Sequence, residues 1–524
     1  MFRRVVVWCN KSPLVRAFLG DEPAQTPTYQ DKNPTICTVR YLNNPHSQSA
    51  RNMVNSDIQN VGGLQGLETK TPLDPDWELY SSTYNRRVPV IPKIVILPAT
   101  TEQVSQAVCW AAACGLKVQA RSGGHSYASH SSGGVDGSVV IDLRKLQNIE
   151  LGQDGIVRVG GGVRLGNLDR VIWKGGRAIA HGTCPTVGIG GHFTHGGFGV
   201  TSRAWGLSMD QILRLDVVMA DGQIVQASEM ENNDLFMAMR GAADSFGIAV
   251  NFYIRTQEAP KTIIKWSVDL PQATKTVNSA VETFQYLQDF VNDASKVDRN
   301  LNMVIFLSYD RFTVEGTYLG SALQFHDTVL MPLLQGCPAK EGHSASYNAV
   351  DWIMLLQQLA DGQDLDVSPN HKERLMFFAK SVAVSSPGLS RDELKTYFRC
   401  LLSEGQSTSI GYFVGIQLYG GADSQITANT MRDAYGHRDA MWMFQHYGFV
   451  NDETFPDEGI RFINNLNQAL GSRHGASNNY ADPTMERDEA HKLYYGEKLE
   501  LLMKLKGMLD PHDVFSHPQS IGKK

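Results

Sequence analysis

The sequence of 524 residues predicts an α+β protein, and two stretches of contrasting pattern carry that prediction. Between residues 88 and 260, short strand-like runs alternate with glycine turns and short helices, which is typical of local βαβ pieces. Between residues 262 and 470, longer helices alternate with apolar strands, which favours an antiparallel sheet with helices on one face. A chain of this length accommodates two large domains or about three smaller ones.

The elements of the first region follow from turn and capping residues. The run from 88 to 98 is predicted to be a strand whose prolines confine it to a sheet edge. A helix beginning at residue 101 follows, because Thr100 or Thr101 can cap its start and Gly115 suits its end. Periodicity then predicts helices at 165–173 and 234–240 and strands at 116–120, 138–143 and 156–160.

The remaining elements come from the same periodicities, which predict helices and strands at 280–294, 303–308, 351–359 and 410–419. Residues 1–80 are polar and irregular, and we interpret them as an N-terminal arm. Residues 471–524 are short mixed elements that include a predicted helix over 488–508.

Composition argues against two classes of protein. The chain carries 48 Lys and Arg against 54 Asp and Glu, a net charge of 48 − 54 = −6, with no basic block. A nucleic-acid-binding protein would present a basic surface. No run approaches the roughly 18 consecutive apolar residues of a membrane span. We therefore expect neither a nucleic-acid nor a membrane partner.

Seven cysteines leave at least one thiol without an intramolecular partner. None of them forms a Cys-x-x-Cys pair, which excludes a zinc ribbon or a thioredoxin-like motif. The apolar stretch at residues 5–9 is shorter than the roughly 7–15 residues of a secretion-signal core. We find no clear secretion signal and leave the location of the protein open.

The first candidate site is Arg121-Ser-Gly-Gly-His125-Ser-Tyr127, directly after a predicted strand. Two adjacent glycines let backbone N–H groups approach an anionic group, and Ser126 adds a hydroxyl donor. By itself, this pattern is equally compatible with a glycine turn that carries a surface histidine.

The second candidate site is the glycine-rich segment from His181 to Gly199, which also contains Cys184, His192 and His195. Dense glycine is costly in backbone entropy, so the segment indicates a large planar or phosphorylated ligand against the backbone. A metal site built from the three histidines is an alternative, but they lack a carboxylate and a helical frame, and we predict no metal. A structural glycine loop with a buried cysteine is the other alternative.

Together, the two segments resemble the FAD-linked oxidases of the vanillyl-alcohol oxidase superfamily, and within it the berberine-bridge-enzyme-like branch. Fungal oxidases of gluco-, chito- and xylo-oligosaccharides are most similar in style. The similarity spans roughly residues 80–521 and includes the stretches 205–210, 233–241, 246–248, 479–483 and 510–520.

The resemblance implies a two-domain fold of the PCMH type. Residues 81–262 would bind FAD, residues 263–470 would bind substrate on an antiparallel sheet backed by helices, and residues 471–524 would return to the FAD-binding domain. We expect the N-terminal arm to precede these three segments.

In that branch, a histidine and a cysteine of these motifs both bond to the flavin. The resemblance implies FAD attached through His125 to its 8α-methyl group and through Cys184 to its C6 atom. An imidazole nitrogen and a thiolate are suitable nucleophiles for an electrophilic ring. Further cofactor contacts are implied for Arg121, Ser122, Gly123, Gly124, Ser126, Gly188, Gly190, Gly191, His192, Ile248 and Val250.

The resemblance also assigns a gatekeeper position for oxygen, two residues before the cysteine. Here it is Gly182, and the missing side chain implies room for O2 beside the flavin. This favours an oxidase over a dehydrogenase.

The catalytic base implied by the resemblance is Tyr480, which family members assist with a carboxylate. At the usual carboxylate position this sequence has Gln417, which can form hydrogen bonds but cannot take a proton. A phenol with an ordinary pKa near ~10 needs assistance to act as a base at neutral pH. The substrate groove is expected to be lined by Tyr127, Tyr412, Tyr419 and Gln445.

The resemblance therefore implies a bicovalent FAD-dependent oxidase that takes hydride from an alcohol, most readily the anomeric carbon of an oligosaccharide, and reduces O2 to H2O2. The expected partners are a small-molecule or oligosaccharide substrate and O2, and we expect a monomer. The alternative is a secondary-metabolite tailoring enzyme that cyclises or dehydrogenates a phenolic or alkaloid-like substrate, which the departure at Gln417 favours. A non-enzymatic flavin-binding protein would need a blocked groove or a missing base.

Overall fold

The computed structural model describes residues 63–360, 364–451, 454–471 and 474–522. The chain divides into two compact units, Met1–Gly66 and Leu67–Lys524, and all elements below belong to the second. Most of the predicted N-terminal arm, residues 1–62, lies outside the described residues. The last part of this segment is not irregular, because a strand that begins at Glu68 already belongs to a β-sheet.

The first sheet has four strands in the order β1-β2-β4-β3, with β4 parallel to both β2 and β3. The predicted edge strand is wrong, because β2 lies between β1 and β4. Its prolines flank the strand rather than interrupt it, so no ladder hydrogen bond is lost. The strands are β1 (Glu68–Lys70), β2 (Ile94–Leu97), β3 (Val118–Arg121) and β4 (Val139–Asp142).

The second sheet is antiparallel, with five strands in the order β5-β6-β10-β8-β9, and a two-stranded ribbon of β7 and β11 accompanies it. These strands are β5 (Ile149–Leu151), β6 (Ile156–Gly160), β7 (Arg177–Ala178), β8 (Ile212–Val218), β9 (Ile224–Ser228), β10 (Ile248–Arg255) and β11 (Gln257–Glu258).

The third sheet is antiparallel and has seven strands in the order β15-β12-β14-β13-β17-β18-β16. Its strands are β12 (Ile263–Asp269), β13 (Leu301–Leu307), β14 (Phe312–Tyr318), β15 (Ser344–Val350), β16 (Met376–Ser385), β17 (Gly411–Leu418) and β18 (Ala440–Val450). The predicted α+β class, with an antiparallel sheet backed by helices, is confirmed. The predicted boundaries at residues 81, 262 and 470 stay predictions.

The α-helices that do not pack on the third sheet are mostly short. They are α1 (Trp77–Ser81), α2 (Thr101–Ala113), α3 (Leu165–Lys174), α4 (Ile189–Thr194), α5 (Ser202–Trp205), α6 (Asn233–Met239), α7 (Val277–Asn292), α8 (Ala322–Phe325), α9 (Met331–Gly336), α10 (Trp352–Leu359), α11 (Arg391–Ser407), α12 (Gln425–Ala428), α13 (Asp457–Ala469), α14 (Arg487–Tyr495) and α15 (Leu499–Leu509). The predicted cap of α2 is present, since the Thr100 side chain accepts a hydrogen bond from the Gln103 N–H. None of the helices in the described ranges is long and apolar enough to cross a membrane.

Helices α7, α11 and α13 pack together on one face of the third sheet. Strand alternation sends Val414, Ile416 and Leu418 into this core, where they are fully buried. Phe413 and Gln417 point to the opposite face of the sheet. That opposite face is where the sequence predicts a substrate groove.

The predicted helix over 488–508 is two helices, because α14 ends at Tyr495 and α15 begins at Leu499. Gly496 lies between them with φ of +52°, a left-handed conformation that glycine adopts without strain. The apolar periodicity continues across the break, which is why the sequence pattern predicts one helix.

Arg203, in α5, is fully buried, and within the described residues its guanidinium forms hydrogen bonds only with main-chain oxygens. Its guanidinium donates to the carbonyls of Gly420, Asp298, Leu301 and Ala422. One cation therefore ties α5 to two connecting segments of the third sheet.

Arg203→Met should destabilise the protein strongly, because several buried carbonyls would lose their donor at a cost of roughly 3 kcal/mol or more in total. Chemical denaturation of the variant against the wild type measures this change. Arg255→Met, at an exposed arginine, is the control and should be nearly neutral. A loss under about 1 kcal/mol at Arg203 would contradict this account.

Candidate active site

The two motif loops touch each other through their main chains. The His loop (residues 121–127) follows β3, and the Cys loop (residues 181–191) runs into α4. A Cβ atom on Gly123 would lie 2.2 Å from the Gly188 nitrogen, and one on Gly188 would lie 2.1 Å from the Gly123 nitrogen. The sequence analysis attributed these glycines to a ligand pressing on the backbone. At these two positions that reason is wrong, since the loops exclude side chains by their own contact.

Serine hydroxyls strengthen this contact. The Ser122 hydroxyl donates to the Gly161 carbonyl at 2.6 Å and accepts from the Gly190 N–H at 3.2 Å. Gly161 in turn donates its N–H to the carbonyl of Val250, so this predicted cofactor residue joins the same network. The Ser126 hydroxyl accepts from the His130 N–H at 3.0 Å, which leaves its own hydrogen available to a ligand. Ile248 is buried at the start of β10.

Arg164 is a residue that the sequence analysis missed. It precedes α3 and donates to the carbonyls of Gly123 and Thr186, one in each loop, and to that of His371. Its only signal in the sequence is its place before a helix, which gives no indication of these partners.

The predicted tethers differ in protonation. Burial, with the positive charges of Arg164 and His371, lowers the pKa of His125 to about 3, so its imidazole is neutral. Burial raises the pKa of Cys184 above 9, while a hydrogen bond with the Thr186 hydroxyl, 3.1 Å away, opposes the increase. Cys184 is therefore a thiol at neutral pH, although part of its surface faces open space.

Thr186 links the two predicted tethers and was also missed. Its main chain forms a hydrogen bond with the His125 imidazole, and its hydroxyl lies 3.1 Å from Cys184 Sγ. Tyr84 lies beside His125, with ring centroids 4.5 Å apart.

A cleft of about 450 Å³ lies beside the His loop. Its lining includes five cations and two carboxylates: Arg121, Arg144, Arg164, Lys372, Arg374, Asp142 and Glu373. Arg121 donates to the carbonyls of Tyr80 and Ser131, but its Nη2 atom has no partner in the described part of the chain. Gly123 and Gly124 form one side of the cleft, so cations and backbone amides converge there.

Gly182 does not leave the open space that the gatekeeper prediction implied. Its N–H donates to His192 Nε2 at 2.8 Å, and a Cβ on Gly182 would lie 2.9 Å from His192 Cε1. Burial and the neighbouring charge of His181 lower the pKa of His192 to about 3, so the ring is a neutral acceptor. Open space lies instead beside Gly191, where a Cβ would meet no heavy atom within 4 Å.

The histidines of the Cys loop segment do have carboxylate partners, which the sequence analysis did not find. His181 Nε2 lies 2.7 Å from Asp169 Oδ1, and His195 Nε2 lies 3.3 Å from Asp244 Oδ2. Because these partners come from different segments, the three histidines do not converge on one point.

Asp244 also joins two further histidines, and the set is close enough to suggest metal ligation. However, the Gln519 N–H donates to His517 Nδ1, so His517 Nε2 carries the hydrogen and donates to Asp244 at 3.0 Å. The ring of His130 lies against His517, with centroids 3.8 Å apart. The cluster of Asp244, His130 and His517 is therefore held by a hydrogen bond and a ring contact.

The groove face of the third sheet carries Phe413, Gly415 and Gln417 from β17 opposite Tyr447 and Gln445 from β18. The predicted groove residue Tyr412 is wrong, because strand alternation turns it to the helix-covered face. There its ring meets Phe462 edge-on at 4.8 Å, and its hydroxyl accepts from the Tyr309 N–H.

Aromatic rings form one wall of the groove. Phe377 and Phe413 stack on the two sides of Tyr447, with centroids 4.9 and 5.1 Å from it. Tyr127 meets Phe377 edge-on at 4.8 Å. Since both faces of Tyr447 are covered, the wall presents ring edges and the free side of Phe413.

Two of the predicted groove residues meet beside Tyr480. Gln445 donates to the Tyr127 hydroxyl at 3.0 Å, and the rings of Tyr127 and Tyr480 are 5.7 Å apart. Tyr419 is buried and stacks on Phe198 at 4.4 Å, and burial raises the pKa of its phenol.

Tyr480 itself is held in a 3₁₀ turn and depends on Gln417. Burial raises the pKa of Tyr480 above 10, and a hydrogen bond from Gln417 lowers it. The Gln417 Oε1 atom is buried and has no partner within the described residues. Glu373, on the segment before β16, adds to the effect of burial in raising the pKa of Tyr127. The pair therefore contains a donor amide in place of a carboxylate, and it leaves an acceptor oxygen for a ligand.

Comparison with known proteins agrees with this arrangement. Residues 92–228 match the family described as FAD binding domain, and residues 478–522 match the family described as berberine and berberine like. A carbohydrate oxidase from Microdochium nivale is 36% identical over 469 residues, covering 87% of this chain and 93% of that protein. A chitooligosaccharide oxidase from Gibberella zeae is 33% identical, with coverage of 87% and 93%.

The chain belongs to the berberine-bridge-enzyme-like branch of the FAD-linked oxidases. It is an FAD-dependent oxidoreductase of the PCMH-type fold. The structure of glucooligosaccharide oxidase from Acremonium strictum, which carries a 6-S-cysteinyl, 8α-N1-histidyl FAD, aligns with a TM-score of 0.82 at 29% identity. The alignment covers 87% of this chain and 97% of that one.

The residues of this flavoenzyme fit the cofactor. A neutral imidazole and a thiol both contact Thr186, and the cleft beside the His loop is lined by basic side chains, among them Arg121, whose Nη2 atom has no partner within the described residues. Such a donor set suits two phosphate groups next to a ring that accepts nucleophiles.

Gly188→Ala should destabilise the protein by about 1–3 kcal/mol, because the methyl group would meet the Gly123 backbone. It should also reduce the flavin content, since both loops must separate. Thermal unfolding and the flavin absorbance of the purified protein measure the two effects. Gly507→Ala, in helix α15 where a Cβ would meet no heavy atom within 4 Å, is the control, because it lies outside both loops. Equal behaviour of the two variants would show that the loop contact is unimportant.

Proposed function

We propose that this flavoenzyme is an oligosaccharide oxidase whose FAD is attached through both His125 and Cys184, and that it produces H2O2 from O2. Bound FAD supplies the redox chemistry, accepting hydride from the alcohol carbon and passing electrons to O2. The observation that carries the proposal is that both nucleophiles meet at Thr186 and that ring contacts lead from His125 through Tyr84 and Tyr127 to Tyr480. The carbohydrate oxidases among the relatives support the same substrate class.

The two attachments place different demands on the protein. His125 is neutral in the folded site and needs no base to act as a nucleophile. Cys184 must first lose its proton, because the thiolate is the reactive form. Each bond replaces one hydrogen of the flavin and one of the side chain, and the two electrons and two protons released pass to O2.

Proton removal from the substrate falls to Tyr480. The phenolate form of Tyr480 accepts the hydroxyl proton, and the Gln417 amide stabilises that form by donating a hydrogen bond. The free Oε1 of Gln417 can accept a second substrate hydroxyl, which would orient the sugar. Tyr127, held by Gln445, borders the same space.

A second candidate is supported by the aromatic wall. Phe413 is a partly exposed ring backed by the buried Tyr447 and Phe377, and Gln417 replaces the carboxylate expected of a sugar oxidase. Oxidative cyclisation or dehydrogenation of a phenolic or alkaloid-like secondary metabolite would suit such a groove.

The double attachment predicts a specific pattern of flavin peptides. His125→Ala and Cys184→Ala should each keep one covalent bond, and the double variant should release its flavin on denaturation, as measured by peptide mass spectrometry. When FAD is added to the apo-protein, attachment through Cys184 should accelerate with pH between about 7 and 9, because the thiolate fraction rises. Attachment through His125 should be nearly independent of pH there, since its imidazole is already neutral. Complete release of flavin from the wild type would contradict the proposal.

Tyr480→Phe should slow substrate oxidation by about 10²-fold or more, because the proton acceptor is lost. In the wild type this rate should rise with pH through the neutral range, since burial raises the pKa of Tyr480 and the phenolate is the active form. Anaerobic mixing with cello-, xylo- and chito-oligosaccharides, followed by flavin bleaching, measures both effects. Tyr412→Phe, on the other face of the sheet, is the control. Bleaching by phenolic compounds but by no sugar would favour the tailoring enzyme.

A further inference from the structure

One buried guanidinium connects the two loops that would hold the flavin. Arg164 is 4% exposed, and its Nη1 atom donates to the Gly123 carbonyl at 3.1 Å and to the Thr186 carbonyl. Its Nη2 atom donates to the His371 carbonyl at 2.8 Å. All three acceptors are main-chain oxygens on different segments, so one planar cation holds three backbones together.

The location of these acceptors relates Arg164 to both tethers. Gly123 lies two residues before His125, and Thr186 lies two residues after Cys184. The contact between Gly123 and Gly188 prevents the loops from approaching further, but it does not hold them together. The hydrogen bonds of Arg164 supply the opposing restraint. The backbone contact and the hydrogen bonds together fix the distance between the His loop and the Cys loop.

Arg164 also acts on His125 through its charge. Burial lowers the pKa of His125 most, Arg164 and His371 lower it further, and a hydrogen bond with the Thr186 backbone raises it. Burial lowers the pKa of Arg164 to about 10, so the guanidinium remains charged at neutral pH. The charge of Arg164 therefore adds to burial in keeping the imidazole neutral.

We propose that Arg164 is the positioning residue for double flavin attachment. It holds the His loop and the Cys loop at the separation that both bonds require. This inference rests on the attachment proposed above, and it assigns to one side chain the coupling between the two bonds.

Two substitutions test this geometric role. Arg164→Lys keeps the charge but loses the planar fork, so His125 should remain attached while the fraction of protein attached through Cys184 falls at least tenfold. Arg164→Met loses the charge as well, so attachment through Cys184 should fall at least as far, while His125, which burial still keeps neutral, should retain its bond. The readout is the mass of flavin peptides from holoenzyme expressed and purified in each form.

The control is Arg177→Met, because Arg177 also donates to a main-chain carbonyl, that of Thr256, but touches neither loop. This variant should carry both bonds. Full double attachment in Arg164→Lys would overturn the geometric role, including if Arg164→Met does not fold. Equal loss of both bonds in Arg164→Lys and Arg164→Met would reduce Arg164 to a structural residue. Release of all flavin from the wild type would contradict the proposed attachment and this inference with it, whereas loss confined to the Arg164 variants would leave the proposed attachment standing.

Discussion

The site depends on one contact, the meeting of two main chains at Gly123 and Gly188. Neither position can carry a Cβ atom, so the His loop and the Cys loop form a single surface although 65 residues separate these glycines in the chain. Ser122 and Arg164 bridge the same junction with hydrogen bonds. The relative position of His125 and Cys184 therefore depends on this packing.

Sequence reasoning performed well where the signal was local. Helix α2, its Thr100 cap, the third-sheet strands β13 and β17, and the two motif loops could be predicted from periodicity, capping and glycine spacing. It failed where the deciding partner is distant in the chain. From the sequence alone, either Tyr412 or Phe413 could face the groove, and only the register of β17 with β18 assigns Phe413 to it.

The same limitation explains the misjudged histidines. His195 was considered without a carboxylate, because Asp244 lies 49 residues further along the chain. Gly182 was interpreted as empty space, although His192, ten residues later, turns back over it. Arg164 gave no signal at all, since its partners are carbonyl oxygens, which no residue type encodes. The resemblance to a family identified the candidate site residues, and the structure shows which contacts hold them in position.

The groove and the tethers are completed by different parts of the chain. The His and Cys loops lie before residue 192, the groove face of the sheet lies between residues 376 and 450, and Tyr480 follows both. The C-terminal segment also packs inward, because Lys506 is buried against Asp510 and the carbonyls of Ser245 and Phe515. During synthesis, the flavin-binding loops therefore leave the ribosome long before the proposed base. If Tyr480 takes the substrate proton as proposed, a nascent chain that already holds flavin would be unable to turn over substrate until residue 480 has been made.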